Sequence, residues 1–136
     1  MITGVVLARN ESRHITDCLK SLKPYVGELI LIDMESEDDT VTLAKPYVDK
    51  ILTAQKTPNF DSSRNLAIPE ARFDWLWYLD ADERVSEETA KFVHVSISQV
   101  GRDISAIWIP FKTHFCGKWI EHSGWWPGYT MPRVLK

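Results

Sequence analysis

Three short apolar runs constrain this chain most: "ITGVVLA" at residues 2–8, "ELILID" at 28–33 and "FDWLWYL" at 73–79. Each is almost continuously hydrophobic, the pattern of a strand buried on both faces. Helix-like segments lie between them. "ESRHITDCLKSLKPYV" sets Ile15, Leu19 and Leu22 at helical spacing and is closed by Pro24. "SEDDTVTLAKPYV" predicts a helix started by Ser36 or Asp38, with acidic residues in its first turn where they suit the dipole. "KILTA" reads as a short strand, "DSSRNLAIPEA" as a helix, and Ser86 as the cap of the helix "EETAKFVHVSISQV". Strand–helix–strand alternation with short connections predicts an α/β fold: a mostly parallel sheet flanked by helices. From "ISAIWIPFKTHF" onward apolar residues alternate, which predicts a later strand or hairpin followed by an aromatic loop.

At 136 residues the chain is long enough for one domain with its own core. A net charge of −3 argues against nucleic acid or an anionic membrane as a general partner. Any anionic ligand must then be gripped locally. Cys18 and Cys116 are far apart and match no metal spacing, so a reducing cytoplasm is the expected compartment. The N-terminal "MITGVVLARNES" carries no basic stretch and its apolar run is too short for a signal peptide or a membrane span. Contact with the inner face of the cytoplasmic membrane stays open.

In an open parallel sheet, ligands bind beyond the carboxyl ends of the strands. "ARNE", "DMES" and "DADE" sit at three such ends, so one rim gathers Arg9, Asn10, Glu11, Asp33, Asp80, Asp82 and Glu83. In extended backbone residues i and i+2 point the same way, which would aim Asp80 and Asp82 at one ligand. Two carboxylates suit Mg²⁺ or Mn²⁺.

The order "LARNE", "ILIDMESEDDT", "DSSRNLAI", "WLWYLDADERVS" resembles the N-terminal half of family 2 glycosyltransferases of the GT-A fold, and is most similar to the bacterial branch with lipopolysaccharide-core glucosyltransferases. The resemblance implies transfer of a sugar from a nucleotide diphosphate donor, a UDP-sugar, to a saccharide or lipid-linked acceptor. It implies that Leu7, Arg9 and Glu11 line the nucleoside pocket and that Asp33 sits near base or ribose. Asp80 and Ala81 would contact the donor or the metal's water shell. Asp82 would ligate the metal, with Asp80 as its partner, and Arg64 would face the donor phosphates or brace the acidic loop. Residues 1–100 would form the donor half, and 101–136 the start of an acceptor-side segment with the fold cut beyond the acceptor loop. Many members carry a second aspartate where this chain has Met34. The carboxylate that deprotonates the acceptor usually comes after the aromatic loop, which leaves Glu121 and His122 as the nearby candidates.

Plainer readings stand beside these. Asp80 and Asp82 could end a strand and cap a turn, Glu83 could be a solvated neighbour, Asp33 could cap a turn with Ser36, and Arg64 could be a structural ion-pair partner. Asp38 and Asp39 read as helix-start charges. His14 and His94 read as helix surface or packing residues, and Trp75 and Trp77 as core. Trp119, Trp125 and Trp126 suit stacking on an acceptor sugar, or covering a partner surface. Their density in so short a chain leads us to expect a homodimer. A donor-binding fragment lacking its catalytic half is a second function. A nucleotidyltransferase is a third, disfavoured because no glycine-rich phosphate loop follows the first strand.

Overall fold

The structure is a computed structural model that describes residues 1–55, 60–99, 104–122 and 130–136. Strand β1 (Ile2–Ala8) leads to helix α1 (Ile15–Leu22), which tightens into a 3₁₀ turn over Lys23–Tyr25 where Pro24 cannot continue it. Strand β2 (Glu28–Asp33), helix α2 (Thr40–Ala44) and strand β3 (Lys50–Thr53) follow. Helix α3 (Phe60–Arg64) runs into a 3₁₀ segment over Asn65–Glu70. Strand β4 (Trp75–Asp80) and helix α4 (Glu87–Gln99) complete the alternating part. Strand β5 (Ala106–Pro110), a small hairpin of β6 (His114–Phe115) and β7 (Lys118–Trp119), and β8 (Thr130–Leu135) come last.

The main sheet has the order β3-β2-β1-β4-β8-β5. β1 pairs in parallel with β2 and β4, β2 pairs in parallel with β3, and β8 is antiparallel to β4 and β5. The predicted α/β class holds. The sheet's two faces are covered unequally. One packs Val6, Leu31, Trp77 and Val134 against Ile15, Leu19 and Leu22 of α1 and against Ala90 and Val93 of α4. The other is a smaller cluster of Val5, Leu7, Ile32, Leu76 and Tyr78 under Ala67 of the 3₁₀ segment. Trp75 and Trp77 are core, as the sequence suggests. Gly4 is required by close approach, because a Cβ there would lie 2.8 Å from both Leu22 Cδ2 and Leu29 Cδ1.

One local expectation needs adjusting. Helix α2 begins at Thr40 rather than at Ser36 or Asp38; Asp38 serves it from two positions before, its Oδ1 accepting the Thr40 N–H at 3.0 Å. The predicted cap of α4 forms: Ser86 Oγ accepts the Thr89 N–H at 3.1 Å. In the β6–β7 hairpin Cys116 and Gly117 both have positive φ, +49° and +74°, the conformation that closes two-residue hairpins with the right twist.

At the opposite end of the sheet from the acidic rim, Glu28 is buried at the start of β2. Its Oε2 accepts the Thr3 hydroxyl at 2.9 Å and the Arg72 N–H at 2.7 Å, and Lys50 Nζ lies 3.8 Å from Oε1. One carboxylate thus joins β1, β2, β3 and the approach to β4. Glu28→Ala should cost about 1–3 kcal/mol for each buried donor it strands. Glu70→Ala, at the exposed end of the same lysine, should stay within about 0.5 kcal/mol. Urea denaturation of both variants, with an unchanged slope, checks this.

Candidate functional site

The parallel registers bring four strand ends to nearly one level. Leu7 of β1 sits opposite Asp80 of β4, Ala8 sits opposite Asp33 of β2, and Asp33 opposite Thr53 of β3. The chain leaves β1 for β2 and β3 on one side and returns to β4 on the other, so the order reverses at β1. In open α/β sheets ligands lie at such a point, beyond the carboxyl ends.

Two loops over this rim are fastened to each other. Asn10 N–H donates to Ser36 Oγ at 3.0 Å, and Asn10 Oδ1 accepts the Glu37 N–H at 2.8 Å. The Glu11 N–H donates to Thr40 Oγ1 at 2.7 Å, and the Ser12 N–H to Asp38 Oδ2 at 3.0 Å. Asp38 also accepts the Thr40 N–H and hydroxyl. The hydrogen bonds from Thr40 and Ser12 hold the Asp38 carboxyl far below the usual range. It fastens the loops through Oδ2 and holds the first N–H of α2 through Oδ1. Asn10 and Glu35 adopt φ of +54° and +55°, a conformation asparagine tolerates and glutamate rarely adopts.

Asp33 is buried. Its Oδ2 accepts the Ser36 N–H at 3.2 Å, so the turn-capping reading holds for one oxygen. Its Oδ1 is buried with no hydrogen-bond partner among the described residues, as is Arg9 Nε at the end of β1. Buried polar atoms are almost always satisfied, so such atoms at a strand-end rim call for an explanation. The Glu11 carboxylate holds His14 Nδ1 at 2.8 Å. Leu7 points into the smaller core cluster and Ala81 into the larger, so neither presents a side chain to a ligand.

At the end of β4 the acidic turn is clamped. Arg64 Nη2 donates to Asp80 Oδ1 at 2.8 Å, and Arg133 Nη2, from β8, donates to Asp80 Oδ2 at 2.8 Å and also to Glu83 Oε1. Glu83 Oε2 accepts the Asp80 N–H at 3.0 Å, and the Glu83 N–H donates to the Asp80 carbonyl at 2.9 Å. Burial pushes the Asp80 carboxyl up, but the Arg133 and Arg64 guanidiniums outweigh it and hold the group below the usual carboxylate range. For Glu83 burial dominates over Arg133 and the carboxyl is raised. Burial lowers the Arg133 guanidinium, and Glu83 and Asp80 more than compensate, so it stays charged.

Asp82 is exposed and makes no hydrogen bond or ion pair among the described residues. The expectation that Asp80 and Asp82 aim at one metal needs correcting. The strand ends at Asp80 and a turn follows, so the alternation of extended backbone no longer applies, and both Asp80 oxygens are taken by arginines. Arg64 accordingly braces the acidic loop. A cavity of about 800 Å³ opens beside the clamp, with Arg64, Tyr78, Leu76, Met131 and Arg133 on its wall; neither Asp82 nor Asp33 lines it.

Glu121 and His122 are exposed. Trp119 lies on the small hairpin with Lys112 Nζ 5.4 Å from its ring centroid. Trp125 and Trp126 lie outside the described residues. Sequence reasoning missed Arg133 as a site residue. The available signal was a cation inside the strand-like run "MPRVL".

Beneath the clamp, Cys18 Sγ donates to the Asp80 carbonyl at 3.6 Å, and burial pushes its thiol up to about 12. Cys116 is exposed. A thiol-disulfide reagent at pH 8 should therefore react quickly with Cys116 and reach Cys18 only in denaturant, because the thiolate is the nucleophile. Fast native labelling of Cys18, read by peptide mass spectrometry, would contradict the burial described here.

Residues 4–133 match the family model described as Glycosyl transferase family 2. Among curated proteins, the chain is 37% identical over 89 residues to the SPbeta prophage-derived glycosyltransferase SunS of Bacillus subtilis, covering 64% of this chain and 21% of that protein. It is 31% identical over 87 residues to an uncharacterized glycosyltransferase of Rickettsia felis, covering 64% of this chain and 30% of that one. Among solved structures, S. aureus TarS 1-349 superposes with a TM-score of 0.61 at 20% identity, over 72% of this chain and 32% of the other. Glucosyl-3-phosphoglycerate synthase of M. tuberculosis gives 0.63 at 22%, over 81% and 43%. The chain thus spans about a fifth to a third of these curated relatives' length. Strand order, strand-end rim and family match agree: the chain belongs to glycosyl transferase family 2.

Proposed function

We propose that this chain forms the donor-binding part of a metal-dependent glycosyltransferase that takes a UDP-sugar and serves a saccharide or lipid-linked acceptor, in lipopolysaccharide or other cell-surface glycan synthesis at the cytoplasmic side. Residues 1–100 carry the donor half and 101–136 begin the acceptor side. The observation that carries the reading is the rim itself: a buried, unpartnered acceptor on Asp33, a buried, unpartnered donor on Arg9 and an open carboxylate on Asp82. Two fold neighbours support the donor, since TarS has been solved with UDP and the mycobacterial synthase with Mn²⁺ and UDP.

In this reading Asp33 Oδ1 accepts a hydrogen bond from the nucleoside and Arg9 Nε donates one to it. Mg²⁺ or Mn²⁺ commonly uses one or two protein carboxylates and fills its other positions with water and substrate phosphates. Asp82 fits that requirement. Among the described residues no three His, Cys, Asp or Glu side chains form a cage that would hold an ion without substrate. A bound ion would supply Lewis-acid neutralisation of the departing diphosphate. Asp80 serves the loop and not the ion. Trp119, Trp125 and Trp126 offer aromatic faces to the acceptor. The second reading is a nucleotide-sugar-binding part whose acceptor-side chemistry comes from elsewhere.

Titrating UDP and GDP by calorimetry, with Mn²⁺ and with EDTA, tests both. UDP binding that tightens with the metal is the expected result, and no nucleotide binding would sink both readings. Asp82→Ala should remove the metal-dependent part while its stability stays within about 0.5 kcal/mol of wild type. Asp80→Ala should lower stability, since it removes a carboxylate partner from two arginines. Transfer to an oligosaccharide or lipid-linked acceptor then separates enzyme from binding part.

A further inference from the structure

The clamp at the end of β4 joins parts of the chain that are distant in sequence. We propose that Arg133 is a positioning residue: it locks the Asp80–Glu83 turn into one shape and thereby sets Asp82 for its divalent ion. The inference rests on the donor-site reading given above. It goes beyond that reading by giving a task to a residue on the acceptor-side strand.

Among the described residues nothing holds the Asp82 side chain directly, so its place follows from the turn that carries it. Within that turn the Glu83 N–H donates to the Asp80 carbonyl and Glu83 Oε2 accepts the Asp80 N–H. Arg84 Nη1 donates to the Ala81 and Glu83 carbonyls, Cys18 Sγ to the Asp80 carbonyl, and Arg64 to Asp80 Oδ1. Arg133 Nη2 adds what these do not: it reaches one oxygen of each carboxylate. Without it, two like charges would face each other across a four-residue turn with only Arg64 on the Asp80 side.

The guanidinium is itself well held. Its side chain is only 7% exposed, its Cζ lies 5.2 Å from the Phe111 ring centroid, and β8 is anchored to β4 by the pairs Leu76–Leu135 and Trp77–Val134. Burying a cation among carboxylates is weak evidence for stability, because desolvation offsets much of the attraction. Its clearer effect is geometric. Both salt bridges come from one terminal nitrogen, so a lysine ammonium could imitate them. It could not reproduce the flat guanidinium face over Phe111.

The test compares wild type, Arg133→Ala, Arg133→Lys and Glu83→Gln in three measurements: UDP affinity with Mn²⁺, UDP affinity in EDTA, and melting temperature without ligand. For Arg133→Ala the Mn²⁺-dependent affinity should fall about 10- to 100-fold, the size of effect seen when groups that orient a metal's ligands are removed. UDP affinity in EDTA should be unchanged. Arg133→Lys should recover part of the loss, and Glu83→Gln should show the same selective loss. Should Arg133→Ala fail to fold, the lysine and glutamine variants carry the test. Equal Mn²⁺-dependent affinity in all four proteins overturns the inference alone. So does a loss that is equal with and without metal, or that only follows melting temperature, because that is what a purely structural residue would show. A wild-type chain that binds no nucleotide overturns the donor-site reading first, and the inference with it.

Discussion

The two parallel ladders on β1 are the constraint from which the site follows. Parallel pairing aligns strand directions, so β2 and β4 must end on the same side as β1, and the registers set Asp33 and Asp80 within one residue of a common level. With strands about 4.8 Å apart, the two backbones stand roughly 10 Å from each other across β1. Buried Ile30, Leu31, Val5, Val6 and Trp77 protect these ladders from competition by water. Gly4 lets α1 settle close enough to seal one face.

Within the rim the acidic residues divide their tasks by burial. Asp80 and Glu83 are held by arginines and by backbone N–H groups, which makes them parts of the scaffold. Asp82 is left to solvent, with its charge uncommitted. Asp33 stands between these cases, with one oxygen used by its own turn and the other not. Motif matching alone would treat all four carboxylates alike. Their partners are what distinguish them.

The architecture was legible because its signals are local. Continuous apolar runs gave β1, β2 and β4, helical spacing gave α1, and Ser86 gave the start of α4. The rim followed from strand order, and Asp33, Arg9 and Arg64 did come to it. What was not legible depended on partners far away in the chain. Arg133 lies 53 positions from Asp80, and no local pattern ties the two. The start of α2 was misplaced because Asp38 reaches the Thr40 N–H from two positions before the helix rather than from the position next to it. The paired aim of Asp80 and Asp82 failed for a different reason: a rule for extended chain was carried two residues past the strand.

The fastening between the first two rim loops bears on how this surface could vary among descendants. Asn10, Glu11 and Ser12 meet Ser36, Glu37, Asp38 and Thr40 through four hydrogen bonds, each to a different residue of the second loop. An inserted or deleted residue in either loop would shift those partners and disconnect the whole set. Lineages should therefore keep both loop lengths fixed together, and diversify their ligand preferences by exchanging side chains in place.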